Sequence, residues 1–380
     1  MEPTPLNVDS SRRRSSPRTA TCAVVSFRLG GTDGVSVVAS TWIDAMTAMG
    51  FDVVTVAGAG PVDRLVPDLA IGRWPDGRAG VEGPGAATAD EVDALTAAVE
   101  VALADAELVV VENLGTIPMN LPAARAVARA RAGAPTLWHH HDPSWQRVRY
   151  ADVDELPRDD AAWRHVAIND LTRDQLRARG IDAVTVRNGF DVHAAPGDRA
   201  GERERVGLAD DELVVVHPVR AVPRKEIPTA VAVAEALGAT YWLTGPAEED
   251  YGEALQAILE GARRRGVRVV HRPSGSIADL CAAADVVAFP SSWEGFGNPP
   301  VEAAIHHRPA VVGRYPVAEE LRGLGFRWFD PSDTEGLRRW LAHPDEALLE
   351  HNAEVARRHL SLEGMAAGLR SVIDEAGWSP

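Results

Sequence analysis

Two glutamates flank a glycine-rich turn and hold the positions most suited to chemistry in this sequence. Glu294 and Glu302 stand in the pattern E-x7-E. The apolar residues 285–289 predict a strand buried on both faces of a parallel sheet, and the tight turn at residues 293–297 then places the Glu294 carboxylate at the carboxyl end of that strand. A routine strand, turn and helix with two solvated glutamates would give the same local pattern. The two acids are nevertheless candidates to bind one ligand.

The helix predicted after this turn indicates an anion site. Asn298 is a good N-cap residue with Pro299 at the first helical position, so amide groups and the positive end of a helix dipole should face the same crevice as the carboxylate. The backbone of Gly295, Phe296 and Gly297 can approach a ligand closely, since glycine permits tight turns. These residues are predicted to contact a phosphate or a sugar.

A cluster of cations follows another predicted strand. Residues 213–217 form that strand, and Arg220, Arg224 and Lys225 precede the helix at residues 228–237. Such a cluster suits a pyrophosphate, with arginine for bidentate contacts and lysine as a compact charge. Lys225 is the only lysine in the chain. We expect it to be an exposed loop cation that contributes little to stability.

Three adjacent histidines follow the strand predicted at residues 135–138. Neighbours on a strand alternate between its faces, so at most His139 and His141 point the same way, and Asp142 does not complete a ligand set easily. No metal site is predicted. A single imidazole at a strand end could instead hydrogen-bond a sugar or stabilise developing charge, and His141 is preferred for that role over a merely structural histidine.

Polar residues cluster at the ends of the two strands of the N-terminal half that we predict to face the cation cluster. They provide hydrogen-bonding groups and one stacking surface of a size suited to a compact polar molecule. Glu112 is expected at the exposed end of its strand. The candidate acceptor-binding residues are Asn113, Asp142, Trp145 and Arg147.

The elements that would position these residues alternate between strand and helix, which predicts an α/β protein. Near the start, residues 23–27 and 51–56 are predicted strands that flank the helix at residues 35–49. The loop at residues 29–34, which includes Gly31, reads G-G-x-x-G, and the second strand ends without a ribose-binding acid. A dinucleotide such as NAD is therefore not expected.

The length of the chain favours two domains. A polar stretch after residue 191 precedes a second run of α/β pattern, which indicates a domain crossing there. The expected organisation is a disordered tail at 1–20, an α/β domain at 21–190, a second α/β domain at 191–360, and a helix at 361–380 that packs back across the junction.

Composition restricts the partners. The net charge of −16 disfavours a nucleic acid, and it also disfavours an anionic membrane surface or a lipid acceptor. No apolar run is long enough to cross a bilayer, and Cys22 and Cys281 show no metal-binding spacing. These observations favour a cytoplasmic protein without stable membrane insertion that acts on a small polar acceptor.

With these motifs in place, the chain resembles the retaining, nucleotide-sugar-dependent glycosyltransferases of family 4. The resemblance is based on the E-x7-E element, the Gly30-Gly31 loop, the crossing at residues 187–191, and Arg220 with Lys225. It implies the GT-B fold of two facing Rossmann-like domains with a central crevice, in which residues 21–190 form the acceptor-binding domain and residues 191–360 the nucleotide-sugar-binding domain. The chain departs from the family at His306-His307-Arg308, where a small residue and a glycine are usual. That departure leaves the subfamily open.

The resemblance also implies roles for individual residues. Arg220 and Lys225 would hold the donor diphosphate, Glu294 and the amides of residues 295–298 the donor sugar and phosphate, and Glu302 the ribose. Arg272 lies where the family often contacts the base, and His141 occupies the position of its active-site histidine. Arg224 joins the diphosphate site as part of the cation cluster.

The expected activity is transfer of a hexose from a UDP- or GDP-sugar to a hydroxyl group, with retention of configuration and without a metal. No cofactor is expected, because the nucleotide sugar is a co-substrate. Three alternatives stay open: a sugar phosphorylase, a nucleotide-sugar epimerase, or a nucleotide-sugar-binding protein without turnover. Residues 139–147 do not reveal the identity of the acceptor.

Overall fold

The computed structural model describes residues 19–31, 33–72, 87–150, 153, 155, 157–248 and 250–380. The predicted tail lies almost entirely outside the described residues. The described chain forms two parallel sheets, each with helices on both faces, because their strands are continuous apolar runs that must be covered on two sides.

The first sheet has seven strands in the described part, in the order β3-β2-β1-β4-β5-β6-β7. Its strands are β1 (Thr21–Arg28), β2 (Asp52–Ala59), β3 (Arg64–Leu65), β4 (Leu108–Glu112), β5 (Thr136–His140), β6 (Trp163–Ala167) and β7 (Ala183–Thr185). Its helices are α1 (Gly34–Met49), α2 (Ala89–Ala102), α3 (Leu121–Ala130) and α4 (Asp170–Arg177).

Local sequence explains where these helices begin. The Asp33 side chain caps α1 by accepting from the amide of Ser36, and Gly50 ends this helix in a left-handed conformation. Thr88 and Glu91 form a capping box at the start of α2.

The second sheet has five strands in the order β10-β9-β8-β11-β12 within the described residues. They are β8 (Val214–His217), β9 (Thr240–Leu243), β10 (Val269–His271), β11 (Val286–Phe289) and β12 (Ala310–Val312). The helices of this half are α5 (Arg199–Val206), α6 (Ile227–Leu237), α7 (Gly252–Arg264), α8 (Ile277–Ala283), α9 (Asn298–Ile305), α10 (Pro316–Gly323), α11 (Thr334–Ala342) and α12 (Glu346–His359).

The two halves are joined where the chain crosses between them twice. Phe190 pairs with Ser361 in an isolated parallel bridge, so the two crossings lie side by side. After the second crossing, α13 (Leu362–Glu375) packs Met365 and Leu369 into the core of the first sheet.

Polar contacts also connect the halves. The Glu320 carboxylate on α10 accepts hydrogen bonds from the amides of Asp170 and Leu171 at the start of α4. Arg187 donates to the same carboxylate over 2.9 Å and also pairs with Asp170. The carboxyl ends of both sheets therefore face one crevice, with α4 and α10 in contact at its side.

Candidate active site

Glu294 lies at the centre of the site on the C-terminal half. Its Oε1 is 2.6 Å from the Lys225 ammonium, and its Oε2 accepts a hydrogen bond from Arg224 over 2.7 Å. The residue is 7% exposed. Burial alone would raise the pKa of Glu294, but the charges of Lys225 and Arg224 lower it below the usual value. The carboxylate is therefore ionised and held between two cations.

Lys225 is largely buried, so the expectation of an exposed loop cation is wrong. Its side chain is 12% exposed and lies over the Phe289 ring, with the ammonium 4.8 Å from the ring centroid. Burial lowers the pKa of Lys225 to about 8, although the neighbouring Glu294 opposes this shift. A desolvated ammonium of this kind attracts an anion more strongly than a solvated one does.

Arg220 is the most exposed member of the cation cluster. It pairs with Glu248 over 2.6 Å, and its side chain is 45% exposed. Burial would raise the pKa of Asp33, but hydrogen bonds from Ser36 and the charges of Arg28 and Arg220 lower it. Arg220 is thus close enough to act on the glycine-rich loop of the other half, where Gly31 also lies.

The start of α9 differs from the prediction in one respect. Asn298 is the first helical residue and not the N-cap; Gly297 takes the cap position, with a φ of 124° that favours glycine. The next two residues are Pro299 and Pro300, which lack an amide hydrogen. The amides offered to an anion therefore come from the turn and from Asn298 and not from the rest of the first helical turn.

Two further donor-site candidates lie apart from the ion-pair cluster. Burial raises the pKa of Glu302 to about 7, and its carboxylate makes no hydrogen bond within the described residues. Arg272 follows β10 with an exposed side chain, while its carbonyl accepts from the Trp242 indole over 2.8 Å. Neither residue contacts Glu294.

On the N-terminal half, Asn113 fixes the loop after β5. The residue has a φ of 59°, and its side-chain oxygen accepts from the amides of His141 over 3.1 Å and of Asp142 over 2.9 Å. The prediction of an exposed strand end is wrong here, since Glu112 is 0% and Asn113 4% exposed. The strand extends one polar residue further than its apolar run, and the facing loop covers it.

The structure confirms that His139 and His141 point the same way, and it adds a third group to them. Glu112 lies opposite His139 in the parallel register of β4 and β5. The Oε2 of Glu112 is 2.9 Å from His139 Nδ1 and 2.9 Å from His141 Nε2, and these two nitrogens are 3.2 Å apart. We refer to Glu112, His139 and His141 as the β4–β5 triad. Trp42 of α1 stacks on His139 at 3.7 Å.

The β4–β5 triad is almost inaccessible. Burial lowers the pKa of His139 to about 4. Burial alone would raise the pKa of Glu112, but His139 and His141 lower it to about 2. The three donor atoms are close enough together to hold a metal ion. The absence of a metal nevertheless stays a prediction.

The candidate acceptor residues divide into two groups. Asp142 pairs with Arg147, and the positive charge of Arg224 also acts on its carboxylate from the other half. Trp145 is turned elsewhere: its indole donates to Gln175 over 2.7 Å, and the Arg179 guanidinium lies 3.8 Å from its ring centroid. The structure does not bring Trp145 together with Asn113 and Asp142.

The two halves of the site meet at Gly295. A Cβ placed on this glycine would lie 2.8 Å from the carbonyl oxygen of His141 and 3.5 Å from the Asp142 carboxylate. The Asn169 side chain donates to the Gly295 carbonyl, and Asn188 donates to Asn298 over 3.4 Å. Only glycine fits at this approach, so the turn after β11 and the loop after β5 line one crevice.

Sequence reasoning missed three residues of this arrangement. Glu112 was considered only as part of an exposed strand end, although it shares the period-2 alternation of Leu108 and Val110 toward one face. Asn169 and Glu320 contact the opposite half, and no local pattern indicates such a contact.

Comparisons with known proteins support the fold. The chain superposes on the crystal structure of Anabaena HepE in complex with UDP and glucose, with a TM-score of 0.71 and 18% identity, and the match covers 93% of this chain and 100% of that one. The fold is therefore that of GT-B glycosyltransferases. Residues 219–341, which contain Lys225 and Glu294, match the family model Glycosyl transferases group 1.

Two relatives resemble this chain in sequence. The mannosylglucosylglycerate synthase of Thermotoga maritima is 27% identical over 323 residues, covering 69% of this chain and 75% of that protein. The D-inositol 3-phosphate glycosyltransferase of Mycobacteroides abscessus is 36% identical over 143 residues, which are 35% of this chain and 32% of that protein. The first is named as a synthase and the second as a glycosyltransferase. In the described part of the chain, no helix combines the length and apolarity needed to span a membrane.

Proposed function

We propose that this protein is a retaining glycosyltransferase of family 4 that moves a hexose from a UDP- or GDP-sugar to a hydroxyl of a small polar acceptor, without a metal. The observation that carries the proposal is the buried Lys225–Glu294–Arg224 cluster at the turn before α9. In this proposal the two cations stabilise the negative charge that develops on the leaving diphosphate, and such preorganised electrostatics is usually the largest catalytic contribution.

The other contacts to the donor are assigned to residues that lie around this cluster. Arg220 reaches the diphosphate from the loop after β8, Glu302 binds the ribose, and Arg272 lies beyond β10 on the side of the base. Glu294 and the turn amides orient the donor sugar. We prefer departure and attack on the same face of the sugar, because the two carboxylates at this point are held in ion pairs, Glu294 by Lys225 and Arg224 and Asp142 by Arg147.

A small acceptor is supported by the crevice and by the relatives. Asp142 and Arg147, held in place by Asn113, lie beside the turn at Gly295 and carry polar groups suited to a polyol or a hydroxy acid. The relatives are named for mannosylglucosylglycerate and for D-inositol 3-phosphate, which are compact polar molecules.

The test is a panel of UDP-, GDP- and ADP-sugars with pools of soluble acceptors and with lipid extracts. We expect release of the nucleoside diphosphate and retention at the anomeric carbon, both unchanged by EDTA. Inhibition by EDTA that magnesium or manganese reverses would contradict metal independence. Product analysis distinguishes transfer from phosphorolysis, which needs phosphate, and from epimerisation, which releases no nucleotide. Binding of a nucleotide sugar without any turnover would refute the proposal that this protein is an enzyme.

A matched pair of arginine variants tests the diphosphate site. Arg220→Met removes a cation at the crevice, whereas Arg265→Met removes one at the opposite end of the sheet that pairs with Glu235 over 2.8 Å and is similarly exposed. We expect Arg220→Met to lower kcat by about tenfold or more and Arg265→Met to leave it unchanged. Equal effects would refute the placement of the diphosphate.

A further inference from the structure

The β4–β5 triad fixes where the protons of its two imidazoles are. An ionised carboxylate can only accept hydrogen bonds, and Glu112 Oε2 lies 2.9 Å from a ring nitrogen of each histidine. Each of these nitrogens must therefore carry a proton. A neutral imidazole has one N–H, so His139 is protonated on Nδ1 and His141 on Nε2.

Once Nε2 is committed, the only ring atom that His141 can offer to a ligand is Nδ1, which is then a hydrogen-bond acceptor. Within the described residues no hydrogen bond to this atom is formed, and the side chain keeps 5% of its surface exposed while those of His139 and Glu112 keep none. The backbone of His141 lies against Gly295 in the crevice.

We infer that Glu112 is a positioning residue, braced by His139, that presents His141 Nδ1 as an acceptor to a hydroxyl of the bound sugar or acceptor. The inference rests on the proposed function for the identity of the ligand. It deepens that function by stating the chemistry of recognition. The ligand must donate an O–H to this atom, so a hydroxyl at that position is required and an ether, fluoro or deoxy analogue is rejected.

The packing around His139 supports this arrangement. Trp42 stacks on its ring at 3.7 Å, and the register of β4 and β5 sets Glu112 directly beside it. These contacts prevent the His139 ring from rotating away from the carboxylate. Glu112 is therefore held by two donors, and of the three side chains only that of His141 keeps any exposed surface.

A metal ion is the other occupant that three such donor atoms could hold, and His139 argues against it. Its Nε2 is buried and has no hydrogen-bond partner in the described structure. If Nδ1 bound a metal, this nitrogen would carry an unpaired proton, whereas histidine ligands almost always donate their second N–H to a partner. With the proton on Nδ1, Nε2 is only an unpaired acceptor.

The first experiment measures the tautomers directly by 15N NMR of histidine-labelled protein, with His139→Gln and His141→Gln variants to assign the signals. We expect Nδ1–H for His139 and Nε2–H for His141 in the free protein. The opposite tautomer of His141, or a stoichiometric divalent cation in the purified protein by elemental analysis, would overturn the inference.

The second experiment compares Glu112→Gln with Asp159→Asn. The control removes the charge from another carboxylate that faces a histidine, His165, at 3.2 Å on the other face of the sheet. We expect Glu112→Gln to lower kcat by about tenfold to a hundredfold and to give a mixed His141 tautomer in a protein that is less stable but still folded at the assay temperature, and Asp159→Asn to change neither kcat nor the tautomer. A full-rate Glu112→Gln enzyme would overturn the positioning role.

The third experiment identifies the hydroxyl with a series of singly deoxygenated donors and acceptors. We expect one analogue to lose about tenfold to a hundredfold in kcat/KM with the native enzyme and little with His141→Phe. Losses that are the same in both enzymes for every analogue would overturn the recognition. If no sugar nucleotide is turned over but the tautomers are as stated, the proposed function fails and the positioning of His141 by Glu112 stands.

Discussion

Replacing the only lysine should abolish transfer while leaving the fold as stable or more stable. The pKa of Lys225 is about 8 in the folded protein and 10.5 in its ordinary environment, so keeping the ammonium charged in the fold costs about 3 kcal/mol. Lys225→Met removes this cost. Glu294 is not left without a cation, because Arg224 still donates to it over 2.7 Å. The usual penalty for breaking a buried pair therefore applies only in part.

The sign of the pH dependence follows from the same values. The folded protein releases the Lys225 proton near pH 8 and the unfolded chain near pH 10.5, so the penalty is present below pH 8 and disappears as pH rises through this window. The advantage of Lys225→Met in the free energy of unfolding should therefore shrink with rising pH.

Urea unfolding of both proteins across that window measures the effect, with Arg265→Met as the control for loss of a surface cation. Because the chain has a single lysine, 13C NMR of labelled lysine reports its pKa from one signal. Initial rates with the best donor should fall by about a hundredfold or more in Lys225→Met. A normal pKa near 10.5, or a variant several kcal/mol less stable than the native protein at neutral pH, would refute the reasoning.

Three further predictions concern other parts of the crevice. Glu302 has a pKa of about 7, so if its carboxylate binds ribose, affinity for UDP should rise as pH passes through 7 and Glu302→Gln should flatten this rise in calorimetry. A pH-independent native affinity would exclude that role. Trp145→Phe loses the bond to Gln175 and should lower the free energy of unfolding by about 1 kcal/mol without changing the acceptor KM; a raised KM would return Trp145 to the acceptor site. Glu320→Ala removes the carboxylate that joins α10 to α4, so the two halves should move apart and the radius of gyration measured by small-angle scattering should increase. Glu319→Ala changes a carboxylate on the same helix that pairs with Arg314 and Arg322, and it should leave the radius of gyration unchanged.

Periodic elements could be predicted closely from the sequence. The helix predicted at residues 35–49 agrees within one residue with α1, because Asp33 caps its start and Gly50 ends it. The strands predicted at residues 213–217 and 285–289 agree as closely with β8 and β11, because each is a continuous apolar run. Their ends were less certain: β5 continues through His140, since backbone pairing with β6 does not require apolar side chains.

Contacts between distant segments could not be predicted. The sequence places Glu112 and His139 on separate strands, and only the register of β4 and β5 shows that they face each other. Trp145 was assigned to the crevice from its neighbours along the chain, but Gln175 and Arg179 on and after α4 draw the indole to another surface. Lys225 was taken as solvated because its neighbours are polar, whereas Glu294 and Phe289 from a later part of the chain cover it.

The charge of the whole chain is opposite in sign to the charge of its crevice. This difference explains how an acidic protein could bind a nucleoside diphosphate. The net charge is −16, yet Lys225 and Arg224 share the single carboxylate of Glu294, so this buried cluster carries a net positive charge. Coulomb attraction is stronger and salt screening weaker where water is excluded, so the local charge outweighs the distant acidic surface for an anion inside the crevice. The surface charge then acts mainly against large polyanions, which cannot enter. Under the proposed function, selection for a small anionic donor follows from where the charges lie and not from their sum.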